Sequence, residues 1–328
     1  MKHAKLLPGL LALISSPAFA LNIVLSNDDG LTSNAKALYD ALKAKGHDVI
    51  VSVPCTGQSG MGAAAKYLTP ITPLSTGTAD KTTGGCLNQA ATAGAPGAGP
   101  MTRTGFTNGD WFYVNGTPVM ATAYGLDVLA IKRWGKAPDV VLSGPNEGQN
   151  VGSIVNGSGT VSNAQFALSR GLPAIALSAD TDTTDNTNLA NPKSATVAQL
   201  SITLLEALQA RAGKGGLLPA GVALNVNFPK DLSNPRWAFS RHGTFNEYNV
   251  RFVEKLSDDP IAKSYGLGNV PYPGITIGPN TGTPTAGQAE DESVVYKSRI
   301  AVTVMQAGFE HRPQGQQWLR LRLRDLLK

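Results

Sequence analysis

The sequence predicts an α/β fold: a doubly wound, mostly parallel, Rossmann-like sheet followed by a C-terminal extended arm or subdomain. Apolar runs at residues 21–26 and 48–53 flank a stretch that begins with the helix-capping residues Thr32 and Ser33 and ends at Gly46. A helix between two buried strands forms a β-α-β unit, whose crossover makes the strands parallel neighbours. Strand-like and helix-like segments alternate up to residue 227, which is typical of doubly wound sheets.

The later elements follow from local patterns. Apolar runs predict strands at residues 111–114, 139–143, 173–178 and 221–227. Pro118 suits the first position of a helix that runs to about Trp134, and further helices are predicted at residues 161–170 and 193–211. Residues 54–110 are rich in Gly, Thr, Ala and Pro, which predicts long surface loops with one short strand near residues 68–74.

The segment after Pro229 has a different composition, with scattered Pro, Gly and Tyr. Within it we predict a long strand at residues 294–305 and a short basic amphipathic helix at residues 318–327. The chain therefore divides into a signal peptide (residues 1–20), a core (residues 21–229, with a loop-rich insertion at about 76–110) and a C-terminal arm or oligomerisation subdomain (residues 230–328).

The first twenty residues have the layout of a secretory signal peptide. Lys2 and Lys5 precede an apolar stretch, and Ala18-Phe19-Ala20 forms a small-residue cleavage site, so cutting is expected after Ala20. The alternative is a membrane anchor, which the short apolar run and its Pro8 disfavour. We expect an exported protein, periplasmic or secreted, with no membrane partner.

Composition and charge narrow the class of protein. Hydrophobic residues make up 42% and charged residues 16% of the chain, which indicates a globular protein. The net charge of +5 is diffuse, and no basic run with interleaved aromatics is present, so binding to a nucleic-acid duplex is not expected. Cys55 and Cys86 would meet an oxidising compartment, where they would form one disulfide or remain as two buried thiols.

Polar clusters follow the predicted strands at the edge of the sheet where ligands bind in such folds. They are Asn27-Asp28-Asp29-Gly30, Gln58-Ser59-Gly60, Ser143-Gly144-Pro145-Asn146 with Asn150, and Asn156-Gly157-Ser158-Gly159-Thr160. Adjacent aspartates repel each other unless a cation neutralises them, and oxygen donors of this kind suit Mg²⁺ or Mn²⁺. The alternative, a helix cap, accounts for one carboxylate only.

The glycine-rich run before the helix at residue 161 predicts a phosphate cradle. Backbone N–H groups at a helix N-terminus, with the hydroxyls of Ser158 and Thr160, can bind an anion. No covalent nucleophile is indicated, because the chain lacks a Gly-Lys-Ser/Thr loop, a Gly-x-Ser-x-Gly elbow and a Cys-x5-Arg loop. His242, in a loop beside Arg241, is expected to be solvated rather than part of the site.

The motifs LSNDDG, QSG, PDVVLSGPNEGQN, NGSGTV, GLPAIALS and LNVNFP together resemble the SurE family of nucleotidases in order and spacing. The resemblance implies a metal-dependent phosphomonoesterase that hydrolyses nucleoside 5′- and 3′-monophosphates to nucleoside and orthophosphate. It implies catalytic Asp28 and Asp29, and a homodimer or homotetramer. The metal ligands implied are Asp28, Asp29, Ser59 and Asn146, and the phosphate contacts are Asn150, Ser158, Gly159 and Thr160.

The chain departs from the family pattern at several positions near these residues. Leu31-Thr32-Ser33-Asn34 replaces an Ala-Pro-Gly turn, Pro145 replaces an isoleucine, and Gln58 replaces a basic residue. Two alternatives stay open at this point. One is an exported acid phosphatase or polyphosphatase of broader specificity, and the other is a non-catalytic, nucleotide-binding periplasmic protein.

Overall fold

The structure, a computed structural model, describes residues 19–75, 84–213, 216–308 and 313–326. Most of the predicted signal peptide, part of the insertion predicted at about 76–110 and the end of the helix predicted at 318–327 lie outside the described residues. In the described part of the chain, every helix is too short or too polar to cross a bilayer.

The strands of the described residues are β1 (Asn22–Ser26), β2 (Asp48–Pro54), β3 (Ala98–Pro100), β4 (Trp111–Val114), β5 (Val140–Glu147), β6 (Ala174–Ala179), β7 (Val222–Asn227), β8 (Trp237–Ser240), β9 (Tyr248–Val253), β10 (Gly274–Pro279) and β11 (Ile300–Gln306). Nine of them form one mixed sheet in the order β3-β4-β2-β1-β5-β6-β7-β11-β8, and β9 and β10 form a separate two-stranded antiparallel sheet. Pairing is parallel throughout the large sheet except between β3 and β4 and between β7 and β11. The predicted fold class is confirmed.

Helices cover both faces of the large sheet. The α-helices are α1 (Ser33–Ala44), α2 (Pro118–Tyr124), α3 (Ile131–Trp134), α4 (Gly159–Ser169), α5 (Pro192–Gln209), α6 (Pro260–Ser264), α7 (Glu292–Val295) and α8 (Pro313–Arg322). A π-helical segment, Gly125–Ala130, joins α2 to α3, so the predicted helix from Pro118 to Trp134 is continuous. Short 3₁₀ helices lie at Leu87–Gln89, Gly152–Asn156, Thr181–Thr183, Leu256–Asp258 and Ala286–Gln288.

Strand β1 shows how the sheet separates two apolar cores. Ile23 and Leu25 belong to the core under α1 and α5, whereas Val24 belongs to the core under the π-helical segment and α4. Successive side chains of a strand point to opposite faces, so a strand that is apolar at every position is buried on both sides. This burial fixes the carboxyl end of β1, and with it the position of the residues that follow.

The loop region after β2 is organised differently from the prediction in one place. The strand predicted at residues 68–74 is wrong: the segment is irregular, and Leu68 is exposed with a positive φ of 54°. Pro70 and Pro73 remove backbone donors that strand pairing needs. The short strand of this region is β3, which pairs with β4.

The disulfide between Cys55 and Cys86 is formed, which confirms that prediction and excludes two free thiols. Both cysteines are buried, and the Leu87 N–H donates to the Cys55 carbonyl at 2.8 Å. The bridge therefore ties the far end of the irregular segment to the carboxyl end of β2.

Reducing this bridge is expected to destabilise the protein by about 3–4 kcal/mol, because it closes a loop with a sequence separation of 31. Thermal unfolding with and without a thiol reductant should show a fall in Tm of about 5–15 °C. A Cys55→Ala, Cys86→Ala double variant is the matched control, since its Tm should not respond to reductant. Equal Tm values for the oxidised and reduced wild type would contradict the prediction.

Strands from the region after residue 229 extend the large sheet. β11 pairs antiparallel with β7, and β8 pairs parallel with β11 at the edge. The strand predicted at 294–305 begins only at Ile300, because residues 292–295 form the one-turn helix α7 and bury Val295. The two-stranded β9–β10 sheet and α8 expose large apolar side chains, including Phe252, Ile275 and Trp318.

Candidate active site

The carboxyl ends of β1 and β5 and the N-terminus of α4 meet at one edge of the sheet. Asp28 and Asp29 follow β1 and are buried, with exposed fractions of 3% and 8%. A methyl group added at Gly159, the first residue of α4, would lie 2.6 Å from the Cβ of Asp28 and 2.6 Å from the Cγ of Pro118. The absence of a side chain at Gly159 therefore allows the start of α4 to pack directly on the first aspartate.

A short hydrogen-bonded chain joins Asp28, Thr160 and Asn146. The Thr160 hydroxyl lies 2.5 Å from Asp28 Oδ1 and 3.0 Å from Asn146 Oδ1. The amide group of Asn146 donates to the Gly148 carbonyl at 2.7 Å, so its oxygen is the atom that faces Thr160. A hydroxyl carries one hydrogen, and here it lies between two acceptors. One of these oxygens is therefore left without a hydrogen-bond donor from Thr160.

Burial sets the electrostatics of the two aspartates. It raises the pKa of Asp28, although hydrogen bonds from the Thr160 hydroxyl and from the backbone of Gly159 and Thr160 act in the opposite direction. The pKa of Asp29 lies well above its usual value, first because of burial and then because of the negative charges of Asp28 and Glu147. Two adjacent carboxylates in such surroundings are costly when both are ionised.

These residues fit a divalent cation with oxygen ligands. A cation between Asp28 and Asp29 would neutralise both charges, and the Asn146 oxygen adds a neutral donor of the kind Mg²⁺ and Mn²⁺ accept. In the described ranges no three side chains from His, Cys, Asp and Glu are arranged as a metal site. The predicted ligand set is of a different kind, because only two of its four members are carboxylates.

Ser59 lies in the loop after β2 and is exposed. The neighbouring Gln58 N–H donates to the backbone carbonyl of Asp28 at 2.7 Å, and Gly62 N–H donates to the Gly157 carbonyl at 2.9 Å. The loop that carries Ser59 therefore reaches both the first aspartate and the segment before α4. Thr160 contacts both Asp28 and Asn146, whereas Ser59 is an exposed residue of the loop that reaches this edge.

The predicted phosphate contacts occupy two different settings. The Ser158 hydroxyl caps α4 by accepting from Val161 N–H at 3.1 Å, and Gly159 and Thr160 form the first turn. Asn150 is further away in sequence and buried. Its side-chain amide donates to Ser178 Oγ at 3.0 Å, and its backbone N–H donates to Asn227 Oδ1 at 2.8 Å. Asn150 is thus anchored to β6 and β7.

Several polar residues of this edge were not predicted. Glu147 N–H donates to Asp29 Oδ2 at 3.3 Å, and the Glu147 carboxylate accepts from Asn186. Asn163 of α4 donates to the Asn27 carbonyl and to Ser143 Oγ, both at 3.2 Å. The remaining ones, Asn225, Asn227, Asn246 and Glu292, hold the turn at residues 150–153. The alternating asparagines of LNVN, which a strand places on one face, were the available sequence signal.

The sequence profile of the family described as Survival protein SurE matches residues 23–248, more than half of the chain. The chain belongs to the SurE family. That match includes every residue that the motifs predicted for the site, from Asp28 to Thr160.

Individual relatives agree with this assignment. The chain is 32% identical over 247 residues to the 5′-nucleotidase SurE 1 of Thermus thermophilus, covering 75% of this chain and 79% of that protein. It is 35% identical over 214 residues to an acid phosphatase of Yarrowia lipolytica, covering 63% of this chain but 56% of that protein. For the 5′-nucleotidase SurE of Thermosipho africanus the identity is 30%, over 64% of this chain and 65% of that protein.

A solved structure of a SurE protein, from Aquifex aeolicus, has the same fold. The two superpose with a TM-score of 0.61 at 21% identity, over 92% of this chain and 98% of that one. The likeness therefore extends beyond the residues of the family profile to most of the C-terminal region.

Proposed function

We propose that this SurE family member is a metal-dependent phosphomonoesterase that releases orthophosphate from nucleoside monophosphates. The observation that carries the proposal is the buried pair Asp28–Asp29, which abuts the N-terminus of α4 and shares the Thr160 hydroxyl with Asn146. The names of the relatives, 5′-nucleotidase SurE and acid phosphatase, support the same reaction class.

Asp28, Asp29, Asn146 and Ser59 would hold the cation, Mg²⁺ or Mn²⁺. When bound, such a cation offsets the charge of the phosphate and lowers the pKa of a water molecule. The protein's own part is to keep the carboxylates buried and fixed, and to let Asp28 or Asp29 accept the proton of the attacking water at a carboxylate oxygen.

The N-terminus of α4 supplies the phosphate-binding side of the site. Its first backbone N–H groups, with Ser158 and Thr160, favour negative charge at that point. The same groups already stabilise the Asp28 carboxylate, so the helix end is directed at the anionic part of the site. Asn150 would contribute from the preceding turn.

The test is orthophosphate release from a panel of nucleoside 5′- and 3′-monophosphates in Mn²⁺, Mg²⁺ or EDTA. We expect release that requires a divalent cation and that is stoichiometric with nucleoside. Para-nitrophenyl phosphate and inorganic polyphosphate belong in the same panel, because the 35% identity to an acid phosphatase favours a broader specificity as the second candidate. Equal turnover of all these substrates would favour the phosphatase of broader specificity. If none of them released orthophosphate, the proposal that the protein is an enzyme would be overturned.

Export and oligomerisation complete the proposal. Cleavage after Ala20 is supported by the signal-like N-terminus and is tested by the intact mass of the secreted protein. A homodimer or homotetramer is supported by the apolar side chains that the two-stranded β9–β10 sheet and α8 expose, among them Phe252, Ile275 and Trp318. Light scattering of the purified protein would give the oligomeric state, and a monomer would contradict it.

A further inference from the structure

The turn at residues 150–153, which follows β5 and includes the first residues of the 3₁₀ helix Gly152–Asn156, is held by side chains from distant parts of the chain. The Asn150 carbonyl accepts from the amide groups of Asn225 and Asn227, each at 3.0 Å. Gly152 N–H donates to Glu292 Oε1 at 3.0 Å, and Ser153 N–H donates to Asn246 Oδ1 at 2.8 Å. Successive backbone groups of the turn are thus bound by residues that lie between 225 and 292.

Glu292 is the centre of this arrangement. Its side chain is 1% exposed and accepts hydrogen bonds at both oxygens. Oε1 accepts from Gly152 N–H and from His242 Nδ1, at 3.0 and 3.2 Å. Oε2 accepts from Asn225 Nδ2 at 3.1 Å and from the Thr303 hydroxyl at 2.7 Å. A carboxylate is the one side chain of this size that can accept from four donors at once.

The contacts of Glu292 act on the turn by two routes. One is direct, through the Gly152 N–H. The other passes through Asn225, whose side-chain nitrogen donates both to Glu292 and to the Asn150 carbonyl. The turn has little room to move, because a methyl group at Gly152 would lie 2.9 Å from Asn246 Oδ1 and 2.9 Å from Ser293 Oγ.

A shift of this turn would be transmitted to the site. Five residues lie between Gly152 and Ser158, and most of them belong to the 3₁₀ helix Gly152–Asn156, which ends two residues before the α4 cap Ser158. Ser158, Gly159 and Thr160 therefore depend on the position of the turn. A displacement of about 1 Å in the groups that bind a substrate can lower the reaction rate about 10²-fold.

We propose that Glu292 is a positioning residue of the phosphate site, holding the 150–153 turn so that Asn150 and the start of α4 face the substrate. The inference rests on the proposed phosphate-binding role of residues 150–160. His242 supports the same carboxylate from its solvent side.

The decisive variant is Glu292→Gln, which keeps the shape of the side chain but replaces one acceptor oxygen with an NH₂ group. That group would face two of the four donors, so two contacts are lost without a cavity. The matched control is Asp259→Asn, because Asp259 is another buried carboxylate of the C-terminal region that accepts from Ile261 N–H, Ala262 N–H and Arg251, away from the turn.

The readouts are KM and kcat for AMP and the affinity for inorganic phosphate, measured by calorimetry with Mn²⁺ present. For Glu292→Gln we expect KM and the phosphate dissociation constant to rise about 10- to 100-fold with a smaller change in kcat. Asp259→Asn should lower Tm without changing either constant. If Glu292→Gln does not fold, His242→Ala removes one of the four donors from the exposed side and should raise both constants about two- to fivefold.

The outcomes separate this inference from the proposed function. If the wild type is active and KM and the phosphate dissociation constant are unchanged in the folded Glu292→Gln variant, the role of Glu292 alone is overturned. The His242 variant decides in the same way if Glu292→Gln does not fold. A rise of both constants in Asp259→Asn as large as in Glu292→Gln also overturns that role. An inert wild type whose phosphate affinity is weakened by Glu292→Gln would overturn the catalytic proposal and support the positioning role. A wild type that neither binds nor releases phosphate would overturn both.

Discussion

Replacing Asp29 by asparagine is expected to reduce phosphate release by at least about 10²–10³-fold. The amide keeps the volume of the side chain but removes its charge and its ability to accept a proton from water. The measurement is steady-state phosphate release from AMP with saturating Mn²⁺. Asp40→Asn, a change at an exposed aspartate of α1 that pairs with Lys36, is the matched control and should retain activity within about twofold.

The same variant should be more stable than the wild type when no cation is present. Burial and the charges of Asp28 and Glu147 raise the pKa of Asp29, so the folded state binds its proton more tightly than the unfolded state does. Stability is therefore lost as pH rises above the ordinary aspartate value of 3.8, and it is regained as pH falls. At neutral pH in EDTA we expect Asp29→Asn to gain about 1 kcal/mol or more, which corresponds to about 2–4 °C in Tm.

Scans at pH 5 and pH 7.5 in EDTA check the sign of this effect. The wild type should lose more stability than Asp29→Asn between the two values, and Mn²⁺ should restore stability to the wild type alone. Parallel pH dependences of the two proteins would contradict the electrostatic account, and an active Asp29→Asn would contradict the catalytic one.

Replacing Thr160 by valine is expected to lower kcat/KM by about 10–100-fold and to weaken the affinity for Mn²⁺. Valine has nearly the same shape, but it removes the hydroxyl that lies between Asp28 Oδ1 and Asn146 Oδ1. The loss leaves a buried carboxylate oxygen with one donor fewer, which costs about 1–3 kcal/mol of stability. Mn²⁺ titration by electron paramagnetic resonance, beside phosphate release, measures both effects.

Thr160→Ser is the control for this prediction. It keeps the hydroxyl and removes only a methyl group, so Mn²⁺ affinity and kcat/KM should stay within about threefold of the wild type. If serine and valine lowered Mn²⁺ affinity equally, packing rather than the shared hydroxyl would explain the effect.

The central sheet was predictable because its strands are apolar runs that are buried on both faces. Residues 21–26 and 48–53 correspond to β1 and β2 within one residue at each end, and the polar residues after them fall at one edge of the sheet. Periodicity and capping also located α1, whose Thr32 accepts from Ala35 N–H as its cap. In these segments the local pattern and the tertiary environment favour the same structure.

One predicted strand is wrong and another begins later than predicted, and both show where tertiary contacts overrule the local sequence pattern. Residues 68–74 contain strand-forming side chains, but Pro70 and Pro73 cannot donate to a ladder. At residues 292–295 the β-branched Val294 and Val295 favour a strand, yet the segment forms α7. Its turn directs Glu292 inward to four hydrogen-bond donors, a tertiary requirement that no local window contains.

Some residues of the candidate site were predictable from the sequence and others were not. Asp28, Asn146 and Thr160 follow from motifs at strand and helix ends, and the structure places them in contact. Glu292 could not be predicted, because its contact with Gly152 depends on the antiparallel insertion of β11 beside β7. The motifs thus predicted candidate ligands at the ends of strands and helices, whereas the residues that hold those segments in place depend on the three-dimensional pairing of strands.

The place of β11 inside the sheet, between β7 and β8, has a consequence for the order in which the protein can fold. The contact between Gly152 and Glu292 spans 140 residues, and β11 follows it in sequence. Contacts of such long range form late, because the entropy of closing the intervening loop must be overcome first. In a chain that emerges from the ribosome N-terminus first, β1 and the aspartates can be in place while the turn before α4 is still unsupported. The phosphate side of the proposed site would then be complete only after the last strand has paired, so partly made or partly folded chains would bind the phosphate group weakly.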